Sequence, residues 1–311
     1  MADITAARIN NLQSSIALIL GTGSGQNGYG QIVSSSPVDN TNDIVEAADM
    51  NAIYADILKA RVHQVGSIPN SLATVSAGQV IEEDGTDTGT NRGVIQYEDM
   101  ATLVETNKDV IYTADTSQST ITALKTSSTR TDSWAGTVDH VITVTWPNAD
   151  ARRHFFNAGG EIRFTADLDP AASNGKNNDW NNLLSAMGTA KFKSNGCASD
   201  GSAPGTDLGI GNFDLTADYQ TVFQKDGTGV YAENDYNIAA KENGTNVIQF
   251  RIQFRDDDIG DDTDDANQDG AINPVDESVS GTLDSIVGER LPTGTRVSLT
   301  SPTFATTNNL Q

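Results

Sequence analysis

Two runs of alternating apolar and polar residues flank the dipeptide Asn243-Gly244, and this is the strongest local fold signal in the chain. The first run is Tyr236 to Glu242, and the second is Thr245 to Phe254. Asn-Gly favours a two-residue hairpin turn because both central residues need a positive φ. The pattern therefore predicts an antiparallel β-hairpin.

Further strands are predicted on both sides of this hairpin. Apolar residues alternate from Val138 to Trp146, and Glu161 to Leu168 has a similar pattern. The last strands are predicted at Ser278 to Val287 and at Thr295 to Ser301. Together these segments predict an antiparallel β-sandwich, which we expect to be jelly-roll-like.

The N-terminal third has helical spacing instead. A stripe of Ile4, Ile9, Leu12, Ile16 and Ile19 predicts a helix from Ala2 to Leu20 that ends at Gly21. A second helix is predicted from near Asp43 to Gly66, with an apolar stripe formed by Ile44, Ala48, Ile53, Ile57, Leu58 and Val62. Shorter helices are predicted at Tyr97 to Val104 and at Asp179 to Met187.

The fold class predicted from these patterns is α+β, with a helical N-terminal third followed by the sandwich. A chain of 311 residues exceeds the size at which single cores stop growing, roughly 250–300 residues. We expect a mainly helical docking module at 1–112 and a Ser/Thr-rich linker or weak strands at 113–137. The sandwich domain is expected at 138–311, with an acidic hairpin loop at 256–276.

Charge restricts the partners of the chain. It has 42 Asp and Glu against 19 Lys and Arg, a formal net charge of -23, which repels phosphates and predicts no nucleic-acid partner. The charge is equally compatible with cation binding, with solubility and with exclusion from anionic surfaces. No stretch approaches the roughly 18 apolar residues of a membrane span, so no membrane partner is expected either.

The acidic loop contains a spacing of oxygen ligands that suits calcium. The predicted ligands are Asp265, Asn267, Asp269, Ala271 through its backbone carbonyl, Asn273 and Asp276. Calcium takes six to eight oxygen ligands, and Gly270 stands where such loops need a sharp turn. Any calcium bound here is expected to be structural.

These twelve residues resemble the calcium loops of EF-hands and, more closely, those of dockerins, which also have the pattern Asp-x-Asn-x-Asp-Gly-x-Ile-Asn-x-x-Asp. Two departures are visible: no apolar helix precedes Asp265, and Pro274 stands where the exiting helix would begin. The alternative is an acidic hairpin tip, Asp256 to Asp276, kept solvated by its charge.

Other motifs do not support an enzyme. Gly23 to Gly28 matches the dinucleotide-binding glycine pattern, but a predicted helix precedes it where a strand is required. The three histidines lie far apart in sequence and are expected to be structural. Cys197 is the single cysteine of the sequence, so no intrachain disulfide can form, and we expect it to be a thiol in a loop. We therefore expect no catalytic residues and no cofactor-binding residues.

Several longer stretches resemble virion structural proteins of tailed phages that infect marine cyanobacteria, proteins described as fibre, tail or neck components. The stretches are Leu20 to Gln31, Ala60 to Gly66, Arg152 to Arg163 and Asp179 to Leu184. The resemblance spans most of the chain and implies a homo-oligomeric particle component without catalytic residues. It also implies assembly with other virion proteins in the host cytoplasm and release by lysis.

The function expected from the sequence is thus a non-enzymatic virion structural protein that docks through its N-terminal helices and exposes its β domain. Their apolar stripes pack either on each other or on neighbouring subunits, and the sequence leaves both open. The alternatives are a capsid decoration protein and a calcium-dependent adhesin or polysaccharide-binding protein. A polysaccharide depolymerase would require two carboxylates about 5–9 Å apart across a groove.

Overall fold

The computed structural model describes residues 4–38, 44–68, 72–86, 90–111, 124–258, 278–293 and 297–310. The chain divides into two compact units. The helical unit comprises residues 1–120, 150–160 and 291–300, and the sandwich unit comprises 121–149, 161–290 and 301–311. The helical unit thus takes two short segments from the range 138–311 that the sequence assigns to the sandwich domain.

The helical unit contains three helices from the N-terminal third and a fourth from the segment 150–160. They are α1 (Ala6–Leu20), α2 (Ala47–Val65), α3 (Val94–Thr106) and α4 (Ala149–Asn157). Helices α1, α2 and α3 pack against one another. The predicted helical N-terminal third is confirmed.

Local capping fixes where these helices begin and end. Thr5 has an extended backbone, and its hydroxyl accepts a hydrogen bond from Arg8 N at 3.2 Å, so α1 begins at Ala6. Gly66 ends α2 with a φ of 82°, a conformation that glycine adopts without steric cost. The Gly66 N–H donates to the Val62 carbonyl at 3.0 Å.

The core of the helical unit consists of aliphatic side chains from the inner faces of the helices, joined by two tyrosines. Its fully buried members include Ile16, Ile57, Val94, Tyr29 and Tyr97. The predicted stripe of α1 is buried at Ile9, Leu12, Ile16 and Ile19. On α2 the stripe is buried at Ile53, Ile57 and Val62, whereas Ile44 precedes the helix and is exposed.

The sandwich unit is built from antiparallel strands and one long helix. The strands are β1 (Leu124–Arg130), β2 (Gly136–Thr145), β3 (Glu161–Pro170), β4 (Ala190–Phe192), β5 (Cys197–Ser199), β6 (Thr206–Asp207), β7 (Gln220–Asp226), β8 (Asp235–Glu242), β9 (Val247–Asp256), β10 (Gly281–Arg290) and β11 (Thr303–Asn308). Helix α5 (Gly175–Met187) lies between β3 and β4 in the chain. Short 3-10 turns lie at Asn212–Asp214 and Gly229–Tyr231.

In the described part of the unit these strands form two sheets. One has the order β1-β10-β3-β4-β5, and the other has the order β11-β2-β9-β8-β7-β6. The first two strands pair with late strands, β1 with β10 and β2 with β9. The chain therefore interlocks its early and late segments, as expected for a jelly-roll-like sandwich.

The inner faces of the two sheets share one core. The Phe164 ring of β3 lies 5.1 Å from the Phe250 ring of β9, and the Phe192 ring of β4 lies 5.1 Å from the same ring. Strand β9 alternates between buried and half-buried residues along its length, which is the pattern of a strand with one face in the core. The predicted α+β class with an antiparallel sandwich is confirmed.

Several local predictions need correction. The predicted hairpin is formed by β8 and β9, but residues 243–246 make a four-residue loop, and only Gly244 in it has a positive φ, 129°. The last strand lies at Thr303–Asn308, and residues 297–301 are not a strand. Pro302 separates this strand from the predicted position. Strand β1 lies within 113–137, the range for which the sequence left open a linker or weak strands.

Candidate docking surface

A groove of about 810 Å³ opens on the helical unit where three separate segments meet. Ile4 and Ala6 contribute from the start of α1, and residues 44–48 contribute from the start of α2. The segment 77–81 forms the third side through Ala77, Gly78, Gln79 and Ile81. We call this the docking groove.

Local hydrogen bonds shape two sides of the docking groove. At the start of α2, Glu46 N donates to Asp49 Oδ2 at 2.8 Å, which satisfies a backbone donor at the helix end. Around Gly78, Ser76 N donates to Gln79 Oε1 at 2.8 Å, and Gln79 N donates to the Ser76 carbonyl at 3.0 Å. These contacts turn the chain so that residues 79–81 face the start of α2.

The docking groove is apolar and open to solvent. Ile44 is 83% exposed, and Val80, within the segment that forms the third side, is 79% exposed. Glu46 is the only charged residue among the described residues that line the groove. Exposed apolar side chains that cluster around a groove mark a surface for binding another apolar surface.

A smaller cleft of about 250 Å³ lies between α1 and α3, and an ion-pair network occupies it. Arg8 Nη1 lies 2.7 Å from Glu83 Oε2, and Arg8 Nε lies 2.7 Å from Glu98 Oε1. The hydrogen bonds that Arg8 donates to Glu98 and Glu83 raise the pKa of Arg8 above its usual value, and the bonds that Glu98 accepts lower the pKa of Glu98. The network connects α1 to α3 and to the segment before α3.

The loop that matches a dinucleotide-binding pattern is hydrogen-bonded to the end of α1. It follows α1 instead of a strand, and residues 31–38 after it are not helical. Tyr29 N donates to the Ile19 carbonyl at 2.8 Å, and Gln31 N donates to the Leu20 carbonyl at 2.9 Å. The backbone of this loop is therefore committed to the end of α1, and the context of a dinucleotide site is missing, as predicted.

The three histidines lie in separate buried places. The His63 ring is 4.9 Å from the Tyr29 ring, and His154 Nε2 is 2.9 Å from the Thr22 carbonyl. His140 Nδ1 lies 2.9 Å from Ser285 Oγ, inside the sandwich. Burial lowers the pKa of His140 to about 4, so this side chain is neutral at pH 7.

Cys197 differs from the prediction. It is the first residue of β5 and is fully buried, whereas the sequence predicted a loop thiol. Its backbone N–H donates to Asp207 Oδ1 at 3.0 Å. Burial raises the pKa of its thiol well above the usual value, which keeps the thiol protonated.

The predicted calcium ligands Asp265, Asn267, Asp269, Ala271, Asn273 and Asp276 lie outside the described residues. Within the described ranges, no three His, Cys, Asp or Glu side chains are grouped so that they can hold a metal ion. No described helix combines the length and the apolar character needed to cross a bilayer.

The sequence did not reveal the docking groove. It assigned Ile44 to the buried stripe of α2, but the helix begins three residues later, so this side chain stands in solvent. Val80 and Ile81 follow Gly78 without a helical or strand period, and an isolated apolar pair carries no periodic signal. Only the exposure of these side chains identifies them.

Comparison of the chain with protein-family models, with curated proteins and with solved structures finds no match in any of the three.

Proposed function

We propose that the chain is a non-enzymatic structural protein of a tailed-phage virion, a neck, tail or fibre component that docks through its helical unit. The observation that supports this proposal is the docking groove, whose lining residue Ile44 is exposed to solvent. An apolar groove of this kind gains free energy when a second surface displaces its water, at about 25 cal/mol per Å² of apolar area.

The occupant that we propose for the groove is a second copy of the chain. Each copy carries a formal net charge of -23, so two copies repel each other wherever charged faces meet. The described lining of the groove has one charged side chain, Glu46. A contact through this surface brings few like charges together, which favours it over most of the remaining surface for self-association.

The proposed setting rests on the sequence resemblance to virion proteins of tailed phages. The protein would assemble in the host cytoplasm with other virion proteins and leave the cell on lysis. Its negative charge makes nucleic acid an unfavourable partner. Calcium in the acidic loop is proposed as a structural ion that stabilises the sandwich, without a part in any reaction.

Light scattering on the purified protein tests the docking groove. We expect a defined oligomer, with a mass that is a multiple of the 32.9 kDa chain. Placing two carboxylates in the groove, by Ile44→Asp with Ala48→Asp, should dissociate it, because buried carboxylates without partners are costly. Both side chains are exposed in the single chain, so the variant should fold.

Ile32→Asp is the matched control, because Ile32 is 86% exposed in the same unit but does not line the groove. This variant should keep the mass of the parent. A monomeric parent protein would overturn self-association, and an oligomer that survives the double substitution would assign the contact to another surface.

A further inference from the structure

A lysine and an aspartate are completely buried together in the sandwich unit. Lys176 lies in the first turn of α5, and Asp256 is the last residue of β9. Lys176 Nζ lies 2.8 Å from Asp256 Oδ1, and both side chains have 0% exposure. Charged side chains are rarely buried to this extent, because each ion loses its hydration.

The distance between Lys176 Nζ and Asp256 Oδ1 is that of a hydrogen bond, but the angles at the two atoms are unfavourable for one. Among the described residues, no donor meets both the distance and the angles of a hydrogen bond to either carboxylate oxygen of Asp256, although Lys176 and Asn234 lie close enough to lower its pKa. A buried carboxylate needs such donors to remain ionised. Burial accordingly raises the pKa of Asp256, although the nearby Lys176 acts in the opposite direction. Burial therefore makes the neutral acid form of Asp256 easier to reach than it is at an exposed aspartate.

The backbone of a second aspartate, Asp258, contacts the lysine of the pair. Lys176 Nζ donates to the Asp258 carbonyl at 3.3 Å, so the amine reaches this residue as well. The pKa of the Asp258 carboxyl is raised to about 6, chiefly by burial. The neighbouring carboxyl groups of Asp256, Glu233 and Asp179 also raise this pKa, whereas Lys176 lowers it. A carboxyl group of this kind exchanges its proton near neutral pH.

Asn234 fixes the backbone that carries both aspartates. Its Oδ1 accepts hydrogen bonds from Asp257 N at 2.9 Å and from Asp258 N at 3.2 Å. The first turn of α5 is fixed too, because Asn174 Oδ1 accepts from Asn177 N at 2.8 Å. The two ends of the contact are therefore held by hydrogen bonds that do not involve the Lys176 or Asp256 side chains.

Aromatic side chains lie near Lys176 and Asp256 on the same elements. Trp180 lies one turn after Lys176 on α5 and is fully buried, with its ring 6.2 Å from the Phe254 ring. Phe254 precedes Asp256 by two residues, so both point to the same face of β9. The Trp134 ring also packs near Trp180, with the two ring centroids 6.0 Å apart. Such a lining keeps water away from an amine and a carboxyl group.

We propose that Lys176 and Asp256 become joined in the folded protein by an amide bond between Nζ and Cγ, with Asp258 as the proton-transfer group. The ammonium first gives a proton to the carboxylate, which leaves a neutral amine and a neutral acid. Nζ then attacks Cγ, and Asp258 takes the second amine proton and delivers it to the departing hydroxyl. One ammonium and one carboxylate become one amide and one water, so atoms and charge balance.

Intact-mass spectrometry of the full chain tests this inference, which does not depend on the proposed virion function. The protein should be lighter than its sequence by one water, and digestion should yield a branched peptide that links Lys176 to Asp256. Lys176→Met and Asp256→Ala should each restore the full mass. A parent protein with its full mass after prolonged incubation at neutral pH would overturn the proposal.

Two controls make the measurement specific. Lys191 Nζ lies 2.6 Å from Asp200 Oδ2, but these side chains are 21% and 50% exposed, so no branched peptide is expected there and Lys191→Met should keep the water loss. Aspartate before glycine, as in Asp226-Gly227, can lose water within one peptide by forming a succinimide. A water loss mapped to an unbranched peptide would therefore also overturn the proposal.

The proposed proton-transfer role of Asp258 is tested by the rate at which the amide forms. In Asp258→Asn the amide should form more slowly by at least about a hundredfold, the lower range for removing a general acid or base. The rate is followed as the fraction of chains that have lost water with time after refolding. An unchanged rate would remove Asp258 from the reaction, while the cross-link itself is tested separately by the parent mass.

Discussion

At the scale of single residues, the glycines after α1 differ in what surrounds them. Gly30 has a φ of 72°, and a Cβ added to it would lie 2.5 Å from His154 Nδ1. Gly25 has a similar φ of 58°, but nothing lies within 4 Å of its added Cβ. A side chain at Gly25 would therefore meet backbone strain alone, whereas one at Gly30 would meet both backbone strain and steric overlap.

Gly25→Ala should lower the free energy of unfolding of the helical unit by about 1–2 kcal/mol, the cost of a side chain in the left-handed region. Gly30→Ala should lower it by about 1–3 kcal/mol more, because the new methyl group overlaps the His154 ring. Urea unfolding followed by the helical circular dichroism signal measures both. Equal losses in the two variants would show that the packing against His154 does not matter.

At the scale of elements, one carboxylate connects α2 to the segment after the glycine loop. Asp56 is fully buried, and its oxygens accept hydrogen bonds from Ser34 N at 2.9 Å, from Ser35 N at 2.8 Å and from Ser35 Oγ at 2.8 Å. Lys59 Nζ lies 3.2 Å away. Burial alone would raise the pKa of Asp56, but these donors together lower it below 3.8.

Asp56→Asn should therefore lower the free energy of unfolding by about 1–3 kcal/mol at neutral pH, because an amide cannot accept all these hydrogen bonds and leaves buried donors unpaired. In the parent, this stabilisation is complete above the usual pKa and is lost as the pH falls through the lowered one. The difference between parent and variant should thus shrink in acid.

Asp99→Asn is the matched control, since Asp99 is exposed on α3. It should change the free energy of unfolding by no more than about 0.5 kcal/mol. Thermal or urea unfolding at two pH values measures both variants. A variant at Asp56 as stable as this control would mean that the segment 31–38 is held by other contacts.

At the scale of the whole molecule, calcium binding to the acidic loop would change the stability of the folded chain. A ligand that binds only the folded state raises the free energy of unfolding, by about 2.7 kcal/mol at 100 times its Kd. If the loop from Asp265 to Asp276 binds calcium, added calcium should raise the midpoint of thermal unfolding and a chelator should reverse the change.

Asp269→Ala removes the predicted ligand at position five of the loop, so the midpoint of this variant should not respond to calcium. Magnesium serves as the control ion, because it demands a smaller octahedral site and keeps more of its water. A parent protein whose midpoint is the same with calcium and with chelator would leave the acidic hairpin tip as the better interpretation.

The sequence alone was sufficient for the fold class and for most elements, because local periodicity reports which face of an element is buried. The stripe from Ile9 to Ile19 located α1, and the alternation from Val138 to Trp146 located β2. It misplaced the last strand and the turn at Asn243-Gly244, because turn geometry depends on how the paired strands meet as well as on the dipeptide.

Periodicity says nothing of which elements meet, so the two candidate sites came only from the tertiary structure. Residues 44–48 and the segment 77–81 form one groove although they are far apart in the chain. The periodicity assigned Ile44 and Ala48 to a buried stripe, and the second segment has no period. Lys176 and Asp256 were ordinary charged residues in the sequence. They became a site because folding places the first turn of α5 at the end of β9 and removes water from both side chains.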